Sequence, residues 1–413
     1  MGESMNALIL GLLATANFRL FPETYQRFIV LSAGLFALFD LVPIRWLARF
    51  RRNAQNFWVV LTVALIVVGP LAQSIIQRQL TSPSAFIHDG ALQTEEAIKL
   101  LLSGKNPYGA DYSQTALADW PYWISPDASS NPALEHYTYL PLSFIGVIPF
   151  YFIAQVLLGW FDIRLVYLLC FVVIWILLPL LTQDREKQLA LQIVFGLNPL
   201  FAPFIAEGRN DVTAILWIVL ALALLQRRRF TWTAVMLGLA CVTKQTVWFV
   251  VPFFLAYLFF ISYSRQMRSF LVRVLIPFVL PFVLVVLPFL IWDAGAFVKD
   301  TLIYPSTTYP VLGIGLGGLL VTLGILPARD AAFPFGWVEM VVGVPVLALL
   351  LRYVIRSRSI RSMVAASAGF AFLAAYLNRV FHDNYIGFVL TLAVIAFFVE
   401  ESHSPPNRET YAI

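Results

Sequence analysis

Charge is scarce in this chain: Asp, Glu, Lys and Arg together make up 12% of its 413 residues, where a soluble domain carries roughly 25%. With 60% of residues hydrophobic and a mean hydropathy of +0.79, that shortage excludes a water-soluble globular fold. Cysteine is almost missing. Cys170 and Cys241 both lie inside apolar runs, which excludes a disulfide framework and leaves them as packing residues. There is no phosphate-cradling glycine loop before a helix, no Cys/His cluster at zinc spacing and no nucleophile elbow. Met1 to Met5 are too short and polar for a cleavable leader, so the first apolar run is expected to remain as a helix. The net charge of +5 gives no reason to expect nucleic acid, because the Arg and Lys residues sit in short loops between apolar runs.

What is present is a series of apolar stretches, most of them about 16 to 22 residues long, enough to cross a hydrocarbon core at 1.5 Å per residue. They fall at 5–20, 27–44, 56–76, 164–182, 189–206, 211–226, 230–246, 247–263, 269–291, 334–352, 362–377 and 385–400. Segments 139–159, with Pro141 and Pro149, and 311–326, with Gly313, Gly315, Gly317 and Gly318, carry helix breakers that suit broken or interfacial pieces. The basic loops are Arg45 to Arg52, Arg185 to Lys187, Arg227 to Arg229, Arg265 to Arg273 and Arg352 to Arg361. If neither doubtful segment crosses, all of them lie on one side together with both termini, as the positive-inside rule requires. The predicted fold is therefore all-α: a polytopic bundle of about twelve spans over 1–400, with a large outer loop 77–138, and a cytoplasmic tail 401–413.

The same layout sends the remaining polar segments to the opposite, outer face. Loop 77–138 opens with His88-Asp89-Gly90, continues through Glu95 and Glu96 into an amphipathic run, Ala97 to Leu102, expected to lie along the interface. It turns at Gly104-Lys105-Asn106-Pro107-Tyr108 and ends in Tyr137-Thr138-Tyr139-Leu140-Pro141. A carboxylate beside a histidine suits a general base; an ordinary solvated turn is the alternative. Gly208-Arg209-Asn210-Asp211 separates two apolar runs, either as an Arg209–Asp211 pair capping the next helix or as a substrate contact. Lys244 is an isolated cation in an apolar hairpin, a functional candidate whose partner is Asp211 or a ligand phosphate. Arg379, His382 and Asp383 lie in the turn before the last span, where Asp383 can also serve as a helix cap. His136 and His403 have weaker claims. Asp111, Asp119 and Asp127 are further carboxylates among which nothing in the sequence chooses.

In order along the chain, these features resemble the GT-C superfamily of polytopic membrane glycosyltransferases. The closest likeness is to the bacterial polyprenyl-phosphate-sugar-dependent, glycosyltransferase family 87-like group that includes mycobacterial mannosyltransferases. The residues that carry it are Asp89, Gly104–Tyr108, Tyr137–Pro141, Asn198-Pro199, Gly208–Asp211 and Gly238–Lys244. Residues 1–55 depart from the pattern, since two spans precede the one that leads into the Asp89 loop.

The resemblance implies a cell-envelope mannosyltransferase-type enzyme in the cell membrane, its active site open to the periplasm or exterior. It implies inverting transfer from a polyprenyl-phosphate-linked sugar donor to a glycan, lipid or protein hydroxyl. Asp89 would be the base and His88 its support. Lys244, Arg209 and Arg379 would face the donor phosphate, with His382, Asp211, Tyr108 and Tyr139 as further substrate contacts. No metal and no cofactor are expected. The competing classes are a polytopic transporter or lipid flippase, and an inactive structural relative. Transporters gather polar groups near the midplane and often show internal repeats; here no repeat is visible and the polar residues gather at one face.

Overall fold

The computed structural model describes residues 3–17, 23–41, 48–122, 131–263 and 266–401. Arg45, Arg265, Asp127 and the tail from Ser402 onward, including His403, lie outside the described residues. The fold is all-α apart from a two-residue parallel pairing of Leu312–Gly313 with Val380–Phe381.

Among the described residues, five helices are long and apolar enough to cross a membrane: Phe50–Leu80, Arg164–Leu181, Met267–Thr307, Phe335–Ser357 and Ile360–Leu377. Shorter apolar helices occupy Met5–Ala16, Leu142–Leu158, Asp211–Gln226, Phe230–Cys241, Val251–Ser262 and Asp383–Phe398. Each expected span thus contains helix, with two adjustments. The stretch 189–206 is not one helix but Arg185–Gly196 followed by Ala202–Glu207, interrupted at Asn198-Pro199, where Asn198 Oδ1 accepts from the Leu200 N–H at 3.1 Å. The helix expected to stop near 291 does break there: Asp293 leaves helical geometry (φ −156°, ψ 91°), its carboxylate accepts from the Ala296 N–H at 2.9 Å, and a second helix, capped in this way, carries on to Thr307. Within 311–326 the only helix is Leu316–Thr322, about 10 Å long at 1.5 Å per residue and too short to cross.

The helix ends sort into two groups. At one end, Gln226 Nε2 donates to the Leu181 and Glu400 carbonyls, Lys187 pairs with Glu400 at 3.2 Å, and Glu401 accepts from the Ile360 and Arg361 N–H groups. The basic segments 185–187, 227–229 and 358–361 meet here. The opposite ends of the same helices hold Arg164, Asp211, Lys244, Asn378 and Asp383.

The helix Asp89–Leu102 contains the run Ala97 to Leu102. It is buried from Gly90 to Ile98, and its last turn reaches the surface, with Lys99 and Leu102 exposed. Its polar residues have protein partners: Glu96 takes Lys99 at 2.7 Å, and Gln93 donates to the carbonyls of Ala133 and His136. Glu95 meets Arg78 in a two-point contact at 3.0 and 2.7 Å. Arg78 also donates to Asp162 at 2.8 Å, and Asp162 in turn holds Arg164 Nε at 2.8 Å and Nη2 at 2.7 Å. Arg164 Nη1 then donates to Ser74 Oγ and to the carbonyls of Phe86 and Ala206. Two arginines and two carboxylates, each 5% exposed or less, thus tie four chain segments together.

Removing one partner leaves a buried charge uncompensated, a loss of about 3–5 kcal/mol. Arg78→Ala or Glu95→Ala is expected to lower the melting temperature in detergent sharply. The double replacement Arg78→Met with Glu95→Leu is expected to cost less than either single loss, and a melt in which it costs as much as the two together would contradict the pairing.

Candidate functional site

His88 ends the connection from the Phe50–Leu80 helix, its N–H donating to the Glu207 carbonyl at 2.8 Å. It occupies the N-cap position of the Asp89–Leu102 helix in extended conformation (φ −70°, ψ 141°), so Asp89 stands at the first helical position, where the helix dipole favours a negative charge. His88 Nδ1 lies 2.8 Å from Asp89 Oδ1 and the Gly90 N–H donates to the same oxygen at 2.7 Å. Burial pushes the Asp89 carboxyl up, but the His88 contact, the Gly90 N–H and the nearby His382 outweigh it and hold the group below its ordinary 3.8. Asp89 is therefore ionised at neutral pH.

Gly90 permits a close approach. A Cβ built there would sit 2.1 Å from the Tyr139 hydroxyl. Tyr139 is itself propped from behind, since Tyr108 donates to its carbonyl at 2.9 Å. Tyr108 is 2% exposed, packed edge-on against Tyr137, Phe289 and Phe297, and reaches the site only through Tyr139.

The cationic side comes from three other segments. Gly208 ends the Ala202–Glu207 helix in the left-handed region (φ +96°), with no room for a side chain because Ala91 Cβ would lie 2.9 Å away. The sharp reversal turns Arg209 toward Glu207 at 2.8 Å and Asp383 at 2.5 Å. The expected Arg209–Asp211 pair does not form. Asp211 instead takes Lys244 at 2.6 Å and Asn384 Nδ2 at 2.6 Å, while Lys244 also donates to Asn210 at 2.9 Å. The partner of the isolated lysine is thus Asp211, and Asp211 stands behind it rather than at the open surface.

His382 follows the short strand Val380–Phe381. Burial lowers its pKa, Arg209 and His88 add to the effect, and despite Asp383 and Asp89 it falls to about 4; the ring is neutral at pH 7. Arg379 is 2% exposed and its guanidinium donates to the carbonyls of Tyr309, Arg329 and Ala331. Its position ties 309–331 to the turn before the last helix, and it does not line the open cavity.

These segments enclose a cavity of about 510 Å³ whose walls include His88, Asp89, Tyr139, Arg209, Lys244 and His382. Asp89 and Lys244, 155 positions apart in the chain, face one space. Among the described residues, no three His, Cys, Asp or Glu side chains gather to hold a metal ion. The cavity also contains residues that the sequence did not single out. Arg329 lines it, donating to the Val311 carbonyl at 2.9 Å and, among the described residues, pairing with no carboxylate. His136 lines it too, its Nδ1 2.8 Å from Asp300 Oδ1, as do Trp120 and Tyr122. The exposed Asp111 is engaged in its own turn, accepting from the Ser113 N–H at 2.8 Å.

Residues 99–260 match the MptA_B family, described as alpha-(1->6)-mannopyranosyltransferase, N-terminal domain. That stretch is similar to a mannosyltransferase family. Neither the curated proteins nor the solved structures give a match. The family is consistent with the GT-C type of membrane glycosyltransferase. The matched stretch supplies Tyr139, Arg209 and Lys244 to the cavity wall; His88 and Asp89 precede it, and Arg329 and His382 come from the chain beyond it.

Two measurements check this geometry. Gly90→Ala is expected to destabilise by about 1–3 kcal/mol through overpacking against Tyr139, with part of the loss recovered in Gly90→Ala/Tyr139→Phe; an unchanged melting temperature in the single variant would disprove the close contact. For His382, the folded pKa of about 4 lies below the ordinary 6.5, so the unfolded chain takes up the proton first. Its contribution to stability is complete above pH 6.5 and is lost as pH falls toward 4. Melting curves at pH 7 and pH 5 are expected to differ less in His382→Gln than in the wild type.

Proposed function

We propose that this protein is an inverting membrane glycosyltransferase that moves a mannose-type sugar from a polyprenyl-phosphate carrier to a hydroxyl of a glycan or lipid acceptor. The observation that carries the reading is the shared cavity, in which one ionised carboxylate faces Arg209, Lys244 and Arg329. The acceptor O–H attacks C1 of the donor sugar, the C1–O bond to phosphate breaks on the opposite side, and the acceptor proton passes to Asp89. Polyprenyl phosphate leaves with the bonding electrons. Inversion means that an α-linked product, such as the family description names, requires a β-linked donor.

Asp89 is a weak base, since its pKa is held down. That suits a reaction whose leaving group is already a stable anion: bond breaking runs ahead of bond making, and the acceptor hydroxyl becomes acidic only as it bonds to C1. What the leaving phosphate needs is positive charge placed beforehand. Arg209 is shared between two carboxylates and Lys244 is paired with one, whereas Arg329 meets no carboxylate among the described residues and can turn its charge to a ligand. His382, neutral when the site is empty, can donate one hydrogen bond or take up a proton when a phosphate arrives.

The helix ends support the sidedness of this reading. The basic segments 185–187, 227–229 and 358–361 gather at the end away from the cavity, and that end faces the cytoplasm under the positive-inside rule. The cavity then opens to the periplasm or cell exterior, with the termini inside. The flippase alternative makes no use of a carboxylate poised at a helix start.

Purified protein with polyprenyl-phosphate mannose and a mannoside acceptor is expected to show transfer, and Asp89→Asn to reduce it about 10²–10⁴-fold without loss of folded protein. Full turnover in Asp89→Asn would remove the assignment. For orientation, single cysteines placed at Lys105 and at Arg358 are expected to react with a membrane-impermeant thiol reagent from outside and from inside, respectively. The reverse pattern would invert the topology.

A further inference from the structure

The cavity has a second wall that the transfer chemistry does not use. His136 is stacked on Tyr304, ring centroids 4.0 Å apart, and its Nδ1 is fixed by Asp300 at 2.8 Å. Asp300 is 1% exposed and its other oxygen accepts from the Gly109 N–H at 2.7 Å, so the carboxylate that fixes the ring is itself anchored. His136 Nε2 has no hydrogen-bond partner among the described residues.

Two neighbours carry the same signature. Asn131 Nδ2 and Tyr304 Oη are buried polar atoms that meet no hydrogen-bond partner among the described residues, and both residues line this cavity. Such groups are costly unless something bonds to them. Trp120 completes the wall, pinned by its Nε1 donating to the Ile87 carbonyl at 2.7 Å. An amide, a hydroxyl and a fixed imidazole beside aromatic rings match a neutral ligand rich in hydroxyls, which needs oriented hydrogen bonds and flat apolar faces rather than charge.

Asp89 adjoins both walls: Trp120 is hydrogen-bonded to the carbonyl of Ile87, two residues before Asp89, and the His88 N–H to the carbonyl of Glu207, two residues before Arg209. The base thus stands where an acceptor hydroxyl must meet the donor carbon. We propose that Trp120, Asn131, His136 and Tyr304 form the subsite for the acceptor sugar, binding the hydroxyls of a pyranose ring and holding one of them toward Asp89. The proposal rests on the glycosyltransferase reading and adds where the acceptor sits. Asp300 is a positioning residue that acts through His136.

The test uses full-length protein, polyprenyl-phosphate mannose and octyl α-mannopyranoside. Asn131→Ala, Tyr304→Phe and His136→Gln are each expected to raise the acceptor KM about tenfold, as the loss of one hydrogen bond worth about 1.4 kcal/mol would. The kcat and the donor KM should stay within about twofold. Asp300→Asn should raise the acceptor KM alike, and combined with His136→Gln should add nothing further. A merely structural Asp300 would instead give additive losses. If Asp89→Asn abolishes transfer while these variants leave the acceptor KM unchanged, or change the donor KM instead, the subsite is overturned and the transferase reading stands. If the wild type transfers nothing, that reading fails, and saturation-transfer NMR with octyl α-mannopyranoside still decides the subsite. Binding weakened in Asn131→Ala and Tyr304→Phe supports it, whereas no binding by the wild type, or equal binding by the variants, overturns it.

Discussion

The buried set of Arg78, Glu95, Asp162 and Arg164 is the constraint from which the rest of the site follows. Four charges removed from lipid and water alike are tolerable only as a closed, hydrogen-bonded group. Closure fixes where the Phe50–Leu80 helix ends, where Arg164–Leu181 begins and how Asp89–Leu102 lies between them. Arg164 adds the Phe86 and Ala206 carbonyls, so the strand of chain leading to His88 and the helix leading to Gly208 are anchored at one point. The carboxylate at residue 89 and the cation at residue 209 therefore inherit their spacing from a cluster that touches no substrate.

The electrostatics of the cavity follow a similar division of labour. Lys244 and Arg209 are held in ion pairs, which keeps the empty site near neutrality and orients both side chains. Arg329 supplies charge that no carboxylate among the described residues offsets. The opposite wall is aromatic and amide-lined. In the proposed reaction a chamber polarised in this way separates its substrates by class: an anionic carrier on one side, an uncharged sugar on the other.

Much of this was legible in the sequence, and the reason is local. His88-Asp89-Gly90, Gly208–Asp211, Lys244 and His382 interrupt apolar runs, and an interruption of that kind is visible over a few residues. Pairing is not local. Arg209 joins Glu207 and Asp383 rather than Asp211, and His136 finds Asp300 164 positions away, because helix packing decides such contacts and leaves no trace in short-range pattern. The hydrophobic period of Ala97–Leu102 announces a helix with a greasy face but cannot say what covers it; protein covers Ala97 and Ile98, while Leu102 is exposed. Arg379 stood out as a cation, yet its donors satisfy three backbone carbonyls. A usable signal did exist for the buried set: Asp162 and Arg164 stand at the very start of an apolar run, where unpartnered charge is expensive.

The contact between Gly90 and the Tyr139 hydroxyl leaves no slack at the head of the Asp89 helix. Asp89, beside a residue wedged so tightly, is held in turn by His88 and the Gly90 N–H, and its carboxylate is a stationary mark. Reaction geometry must then be achieved by the incoming molecules, each sliding along its own wall until carbon and oxygen arrive at that mark together.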